Sequence, residues 1–298
     1  MPKKQYNDLT IRSSKINSYF NKFLPKFVWK GIRDIGCYSI DFFDAISGRS
    51  DYMTPPCRFR LQIGPFFDIN QYRLSAKEFL GYLRDLGGLR KNHNVLDVGC
   101  GIGQLATVLA EYLDKKSKYE GFDIDNKMIN WCQKNISSRY SNFRFRYADI
   151  FNTYYNQKGG QNAAQYRFPY SDESFELVIV KSVFTHMFPK DIENYFSEIA
   201  RVLKKGGKCL MTFFLLNRES QTLIENKRSR LDFKYFFRDY WSAISTSENA
   251  IAYKEKYVLN LLQKHGLFSA DSIYYGYWCE RRDFLDFQDI IIVSKGDD

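Results

Sequence analysis

The sequence predicts an α/β fold, a mostly parallel sheet of seven strands with helices on both faces. Three observations carry this. Residues 94–105, NVLDVGCGIGQL, read as a buried strand, a glycine turn and the opening of a helix. From residue 71 onward, short apolar runs alternate with stretches of helical period, the rhythm of parallel strands joined by helices. Near the end, Phe268–Tyr277 and Asp289–Val293 follow one another with no helix between them. They read as a closing hairpin that inserts QDIIIVSK antiparallel. No internal repeat is visible.

Composition bounds the class. The chain has 298 residues, 44% of them hydrophobic and 26% charged, ordinary values for a globular protein. Aromatics reach 17%, which suits well-filled cores and aromatic-lined pockets but names no substrate. Cys37, Cys57, Cys100, Cys132, Cys209 and Cys279 are scattered and form no C-x-x-C pair. This predicts reduced thiols in a cytoplasmic protein, with neither a zinc site nor a disulfide framework. The net charge is +10, and residues 1–33 hold eight Lys/Arg against one acid. No secretory signal follows those lysines, and no apolar run is long enough to span a bilayer.

The elements follow in order. In residues 1–33, Ile16, Tyr19, Phe20, Phe23, Leu24 and Phe27 recur at rough helical spacing, predicting an amphipathic helix up to Pro25. The segment reads as an arm packed on its own domain. The alternative is a peripheral contact with anionic lipid or nucleic acid, and positive charge alone shows only non-specific attraction. Pro55–Pro56 forbids a continuous helix, and residues 34–70 read as a loop or lid. Gln71–Leu86 is a helix with Tyr72, Ala76, Phe79, Leu80 and Leu83 in one stripe, ended by Gly87–Gly88. Val95–Val98 is the first core strand, and a helix runs from about Gly103 to Leu113. Tyr119–Phe122 ends in Asp123, and Asp125 caps a helix to Arg139 that carries Trp131 and Cys132 toward the core. Phe143–Ala148 ends in Asp149.

Residues 151–171 form a connection longer than usual, rich in Asn, Gly, Gln and Tyr, which suits either a polar substrate or a surface excursion. Glu176–Lys181 is the fourth strand, Asp191–Leu203 an amphipathic helix and Lys208–Phe214 the fifth strand. Residues 215–249 break the rhythm and read as an insertion capping a substrate site. Ala250–Gly266 is the last helix before the hairpin. The organisation is thus an arm and lid over 1–70, then a core domain over 71–298.

Gly99, Gly101 and Gly103 let backbone approach a ligand where a Cβ would clash, and the helix start offers free N–H groups. Two ligands fit. Gly101, Gly103 and Ala106 match G-x-G-x-x-A, and Asp123 lies about 20 residues on, as a nicotinamide dinucleotide requires. The other ligand is S-adenosylmethionine (SAM). Asp97, two residues before the first glycine, can accept hydrogen bonds from the ammonium end of an amino acid, whereas a pyrophosphate gains nothing from it. Asp123 can accept from both ribose hydroxyls.

VLDVGCGIG, GFDID, YADI, FELVIVKS and EIARVLKKGGKCLMTFF occur in this order at even spacing. Together they resemble the class I SAM-dependent methyltransferases over about residues 70–294. The stretch containing SVFTHM is similar to a bacterial subgroup associated with polysaccharide or secondary-metabolite pathways. The resemblance implies a Rossmann-like core in which Asp97, Gly99, Cys100, Gly101 and Gly103 hold the methionine end, largely through backbone. It places Asp123 and Ile124 at the ribose, Asp149 and Ile150 at the adenine, and Lys181 beside the cofactor. Asp41–Arg60 resembles the entry segment that helps close the pocket in the same subgroup. Gln104 stands where relatives often carry Arg, which puts an ionic substrate contact from that position in doubt.

Methyl transfer to a hydroxyl needs an aligned nucleophile and a proton acceptor. Lys181, Ser182, Thr185 and His186 come at and just past the end of the fourth strand, on the face where open parallel sheets bind ligands. His186 is the candidate base, since its pKa range suits neutral pH. Its bland alternative is a structural histidine bonded to backbone. Glu219 and Tyr170 are weaker candidates. The expectation is O-methylation of a sugar or metabolite hydroxyl with SAM as cofactor, no metal, and a small-molecule or glycan acceptor. The rivals are an RNA or protein methyltransferase using the basic arm, an NAD(P)-dependent oxidoreductase, and a non-catalytic protein of the same fold.

Overall fold

The computed structural model describes residues 26–243, 249–269 and 273–296, with side chains from residue 31. The predicted helix before Pro25 lies outside the described residues. The chain divides into two compact units, the first ending at Glu78 and the second beginning at Phe79.

In the first unit, α1 spans Lys26–Ile46, α2 spans Cys57–Arg60, and α3, Ile69–Asp85, runs on into the second unit. The loop expected over 34–70 is therefore helical as far as Ile46. No proline interrupts residues 26–54, and Pro55–Pro56 acts only after the helix has ended. The inward face of α1 is polar. Arg60, fully buried, reaches Asp44 at 3.2 Å and Asp41 at 3.6 Å. The Cys57 N–H donates to Asp41 at 2.8 Å, and Arg73 pairs with Asp51 at 2.9 Å.

The second unit is built on β1 (Val95–Val98), α4 (Gln104–Tyr112), β2 (Tyr119–Asp123), α5 (Asn126–Cys132), β3 (Phe143–Tyr147) and β4 (Phe175–Val180). There follow α6 (Pro189–Val202), β5 (Leu203–Phe213), β6 (Leu215–Leu216), α7 (Arg218–Glu225), β7 (Tyr235–Phe236) and β8 (Tyr240–Ser242). The unit closes with β9 (Ile251–Lys254), α8 (Glu255–Lys264), β10 (Leu267–Ser269) and β11 (Asp289–Lys295). The main sheet has seven strands in the order β10-β11-β5-β4-β1-β2-β3, with β11 antiparallel to both its neighbours. The predicted fold class and the inserted antiparallel strand are both present.

Strand parity separates two cores. Leu96, Val98, Val178, Val180 and Met211 point into one layer. Val95, Tyr119, Phe143, Leu177 and Leu210 point into the other, against α4 and α5. The central strands β1 and β4, covered on both faces, are buried almost throughout, whereas the edge strand β3 alternates buried Phe143 and Phe145 with exposed Arg144 and Arg146.

Several boundaries differ from the sequence expectation; the hairpin strand expected over Phe268–Tyr277 is β10 over Leu267–Ser269, with Tyr274 bridging Ile290. The helix after Asp125 stays α-helical only to Cys132 and continues as a π-helical turn over Gln133–Ser137. The fifth strand begins at Leu203, five residues earlier than expected, because Leu203 pairs with Phe175 across a bulge. Residues 251–254, assigned to the last helix, are instead β9, since buried Ile251, Ala252 and Tyr253 pair with β8. The stretch after β5 forms a second sheet, β6-β9-β8-β7, over a small core of Phe214, Leu216, Phe233, Ala252 and Trp278.

This small sheet meets the main one at Asp289. Asp289 is fully buried and accepts hydrogen bonds from the Leu215 N–H at 2.7 Å, the Gly276 N–H at 2.7 Å and the Trp278 indole at 2.7 Å. Arg281 completes the set at 2.8 Å. Removing one member of a buried ion pair strands the other in a dry interior. Asp289→Ala is expected to lower stability by about 3–5 kcal/mol, read as a fall in denaturation midpoint.

Candidate functional site

The parallel strands bring residues 97, 123, 149 and 181 to one edge of the sheet, the edge at which open α/β sheets bind ligands. Asp97 is 2% exposed. Register places Val95 opposite Tyr119 and Asp97 opposite Gly121, so Tyr119 and Asp97 are diagonal neighbours on one face. The Tyr119 hydroxyl donates to Asp97 Oδ2 at 2.7 Å, and its ring stacks on Phe143 at 4.8 Å. Burial pushes the Asp97 carboxyl up to about 6. The Tyr119 hydrogen bond and the Lys181 ammonium pull it down, and Asp123 pushes it further up.

The glycine turn follows at once. Gly99, Gly101 and Gly103 have φ of 72°, 53° and 74°, the left-handed region that glycine enters without strain. The amides of Gly99 and Cys100 both donate to the Phe122 carbonyl, at 2.9 and 3.1 Å. A Cβ on Gly99 would overlap the Val183 Cγ2 methyl. The Cys100 thiol is buried, and that burial holds it protonated. Gly103 opens α4 and brings no side-chain cap to its first amides.

Asp123 braces the turn from the next strand. Its Oδ2 accepts the Gly101 N–H at 2.8 Å and its Oδ1 the Asp125 N–H at 2.8 Å. Each oxygen keeps lone-pair capacity for a hydroxyl donor. Ile124, partly buried, packs on the core beside it. Asp125 caps α5 by accepting from the amides of Lys127 and Met128, as its position in the sequence predicts.

Asp149 follows β3 and accepts the Tyr147 hydroxyl at 2.9 Å. Ile150 is 3% exposed and pairs with Gln161, so the long loop folds back against the strand end. Lys181 donates to Gln104 Oε1 at 3.1 Å and sits 4.7 Å above the Phe79 ring. Gln104 thus accepts from an ammonium.

His186 lies in a 3-10 turn, Phe184–His186, just past β4. Asn152, 8% exposed, donates to the His186 carbonyl at 3.2 Å, and its Oδ1 accepts the amides of Tyr154 and Tyr155 at 2.9 and 2.8 Å. This holds the Tyr155 hydroxyl 3.4 Å from His186 Nε2, with the two rings edge to face at 5.2 Å. Burial pushes the Tyr155 phenol up to about 12, so it stays protonated at neutral pH.

The weaker candidates stand elsewhere. The Tyr170 hydroxyl is buried, and its ring packs on Phe175 at 5.2 Å. Glu219 pairs with Arg281 at 3.1 Å, near the small sheet. Neither joins His186. Trp131 and Cys132 pack with the α4–α5 core.

Sequence reasoning overlooked Tyr119, Asn152 and Tyr155, and a knot at Ser182. Ser182 has φ 59°. Its N–H donates to Thr212 Oγ1 at 2.7 Å, and both hydroxyls donate to Gln288 Oε1, at 2.9 and 2.6 Å. Strand parity could have found Tyr119, which shares a face with Asp97 two positions along. The other partners join segments far apart in the chain and leave no local signal. No group of three or more metal-ligating side chains occurs among the described residues.

Residues 89–266, more than half the chain, match the model of a family described as "Methyltransferase domain". Among curated relatives, an uncharacterized protein of Haemophilus influenzae is 27% identical over 175 residues, 58% of this chain and 64% of that one. The ubiquinone/menaquinone biosynthesis C-methyltransferase UbiE of Wigglesworthia glossinidia brevipalpis is 27% identical over 177 residues, 58% of this chain and 61% of its own. The chain thus spans under two thirds of the length of these relatives. Among solved structures, the PH0226 protein of Pyrococcus horikoshii superimposes with a TM-score of 0.51 and 19% identity, over 75% of this chain and 91% of that one. That likeness is one of fold.

The turn geometry makes a direct expectation. Gly99→Ala would carry both the left-handed backbone penalty and the overlap with Val183. It should lower stability by about 1–3 kcal/mol, and Val183→Ala should recover the steric part. Thermal denaturation of the single and double variants checks this.

Proposed function

The chain belongs to the methyltransferase-domain family, with S-adenosyl-L-methionine as methyl donor, and on that premise we propose that it methylates a hydroxyl of a small polar acceptor such as a sugar or metabolite. The observation that carries the donor half is the buried Asp97 carboxylate beside an uncapped helix start and three left-handed glycines. An anion and a row of amides set side by side suit the ammonium and carboxylate of one amino-acid tail. The residues fit the donor on one further count: Asp123 keeps acceptor capacity at the neighbouring strand end.

In this reading Asp97, Gly99, Cys100, Gly101 and Gly103 hold the methionine end. Asp123 and Ile124 hold the ribose, Asp149 and Ile150 the adenine, and Lys181 balances the charge near Asp97. SAM supplies an activated methyl group on a sulfonium. The work left to the chain is alignment of the acceptor and removal of its proton. His186 takes that proton at a ring nitrogen, and Tyr155 orients the ring. Exposed Tyr155, with the Tyr154 ring packed on it at 4.7 Å, stands beside His186 and suits a sugar or ring-bearing acceptor. A carbon acceptor is the second reading, favoured by the likeness to a relative named as a C-methyltransferase.

Two measurements test these halves separately. Isothermal titration should show SAM affinity rising as pH climbs through about 6, because only the ionised Asp97 attracts an ammonium. The rise should approach tenfold per pH unit well below that value and flatten above about 7. Tyr119→Phe removes a hydrogen bond that lowers the Asp97 pKa, so the midpoint should move to higher pH. Asp97→Asn should abolish the dependence. A pH-independent affinity in the unaltered protein would refute the role of Asp97.

Methyl-labelled SAM incubated with an extract of the source organism should place label on oxygen in the isolated product. Label on carbon would overturn the hydroxyl assignment while leaving the donor site intact. His186→Ala should slow labelling by about 10²–10⁴-fold with SAM affinity unchanged; full turnover would remove the base.

A further inference from the structure

Three segments meet at the ligand-binding edge of the sheet and are tied there by side chains. Ser182 follows β4, buried Thr212 stands in β5 opposite Ile290, and half-buried Gln288 immediately precedes β11. The bonds of this knot settle where its protons lie. Thr212 Oγ1 accepts the Ser182 N–H, so its own proton goes to Gln288 Oε1. The Ser182 hydroxyl donates to the same oxygen. With two hydroxyl protons on Oε1, the side-chain amide has one orientation, and its NH2 group lies on the side away from both hydroxyls. Among the described residues that NH2 has no hydrogen-bond partner. Ser182 Oγ is exposed, and with its proton committed to Gln288 it keeps lone pairs for a donor. The knot therefore offers one donor, Gln288 Nε2, and one acceptor, Ser182 Oγ, set side by side on a shared oxygen.

Its place in the fold is that of an acceptor contact. Val183, the next residue, has its Cγ2 methyl against the Gly99 backbone, and His186 closes the 3-10 turn three residues further on. Ser182 thus stands in the short segment that links the glycine turn to the proposed base. It holds φ 59°, a conformation that costs a serine energy and persists only where surrounding bonds enforce it. We propose that Gln288 and Ser182 recognise a hydroxyl of the acceptor that is not itself methylated: Gln288 Nε2 donates to its oxygen, and its proton goes to Ser182 Oγ. A hydroxyl is donor and acceptor at once and satisfies both groups, whereas a carboxylate or an ether oxygen satisfies Gln288 alone. This rests on the small polar acceptor proposed above and narrows it to compounds bearing more than one polar group, sugars and other polyols among them.

Methyl-labelled SAM and serial dilutions of an extract of the source organism test this with the full chain. Gln288→Glu keeps a carboxylate oxygen for both hydroxyls but puts an acceptor where the NH2 stood. The amount of extract that half-saturates labelling should rise about tenfold or more, with the maximal rate and the SAM affinity by isothermal titration unchanged. Ser182→Gly suits the left-handed backbone and removes the accepting oxygen; it should shift half-saturation in the same direction, so the test stands even if the first variant folds poorly. The isolated labelled product should take up at least one acetyl group on oxygen when treated with acetic anhydride. Half-saturation that stays in place in the folded variants overturns the proposal, because a knot that only ties the strands together would give that result. A product with no free hydroxyl overturns it as well. No labelled product with the unaltered protein would refute the small polar acceptor and this contact with it, whereas labelling with an unmoved half-saturation point refutes the contact alone.

Discussion

A carboxylate buried at the end of a strand must be either saturated with partners or left partly unsatisfied for a purpose. This protein contains one of each. Asp289 receives three N–H donors and the Arg281 guanidinium, so its bonding is spent within the fold. Asp97 accepts from the Tyr119 hydroxyl and feels the charge of Lys181, whose ammonium is bonded to Gln104. Its carboxyl stays at about 6 rather than in the ordinary carboxylate range. That retained capacity, beside backbone only glycine can provide, is what the rest of the site is arranged around.

The arrangement propagates strand by strand. Gly99 and Cys100 are tied to the carbonyl of Phe122, so the turn after β1 is fixed by β2. Asp123, one residue on, holds the Gly101 amide and ties the same turn a second time. The Ala148 amide in turn donates to the Asp123 carbonyl at 2.9 Å, which sets where Asp149 emerges. Three acids at three adjacent strand ends are therefore placed by sheet hydrogen bonds, not by packing of their own side chains. Parallel pairing alone spaces them about 5 Å apart per strand.

This explains why the glycine turn and the strand-end acids were legible in the sequence and the partners around them were not. Gly99, Gly101 and Gly103 declare a backbone conformation by residue type, and Asp97, Asp123 and Asp149 declare strand ends by interrupting apolar runs. Both signals are local. The helix over 34–46 was missed because its apolar residues face outward, so they do not mark a buried face as such residues do elsewhere. Residues 251–254 were read as helix because their buried run adjoins a true helix, and only pairing with β8 distinguishes them. Tyr155 and His186 lie 31 residues apart and meet only because Asn152 bonds three separate backbone groups. The Ser182 knot joins β4, β5 and the start of β11 through side chains that look unremarkable in isolation.

The same contrast separates the two halves of the chemistry. Groups on the donor side are main-chain amides and strand-end carboxylates, which cannot move without disturbing the sheet. Beside them stand loop residues 151–156 and a short 3-10 turn, coupled to the sheet by the side chain of Asn152 and by the Ile150–Gln161 bridge. Substitutions at Tyr154 and Tyr155 change the surface around His186, while the Gly99 and Gly101 amides keep their bonds to Phe122 and Asp123. A fold built this way can exchange its acceptor while keeping its donor. On the proposed reading, acceptor identity is therefore to be sought in the loop and not in the turn.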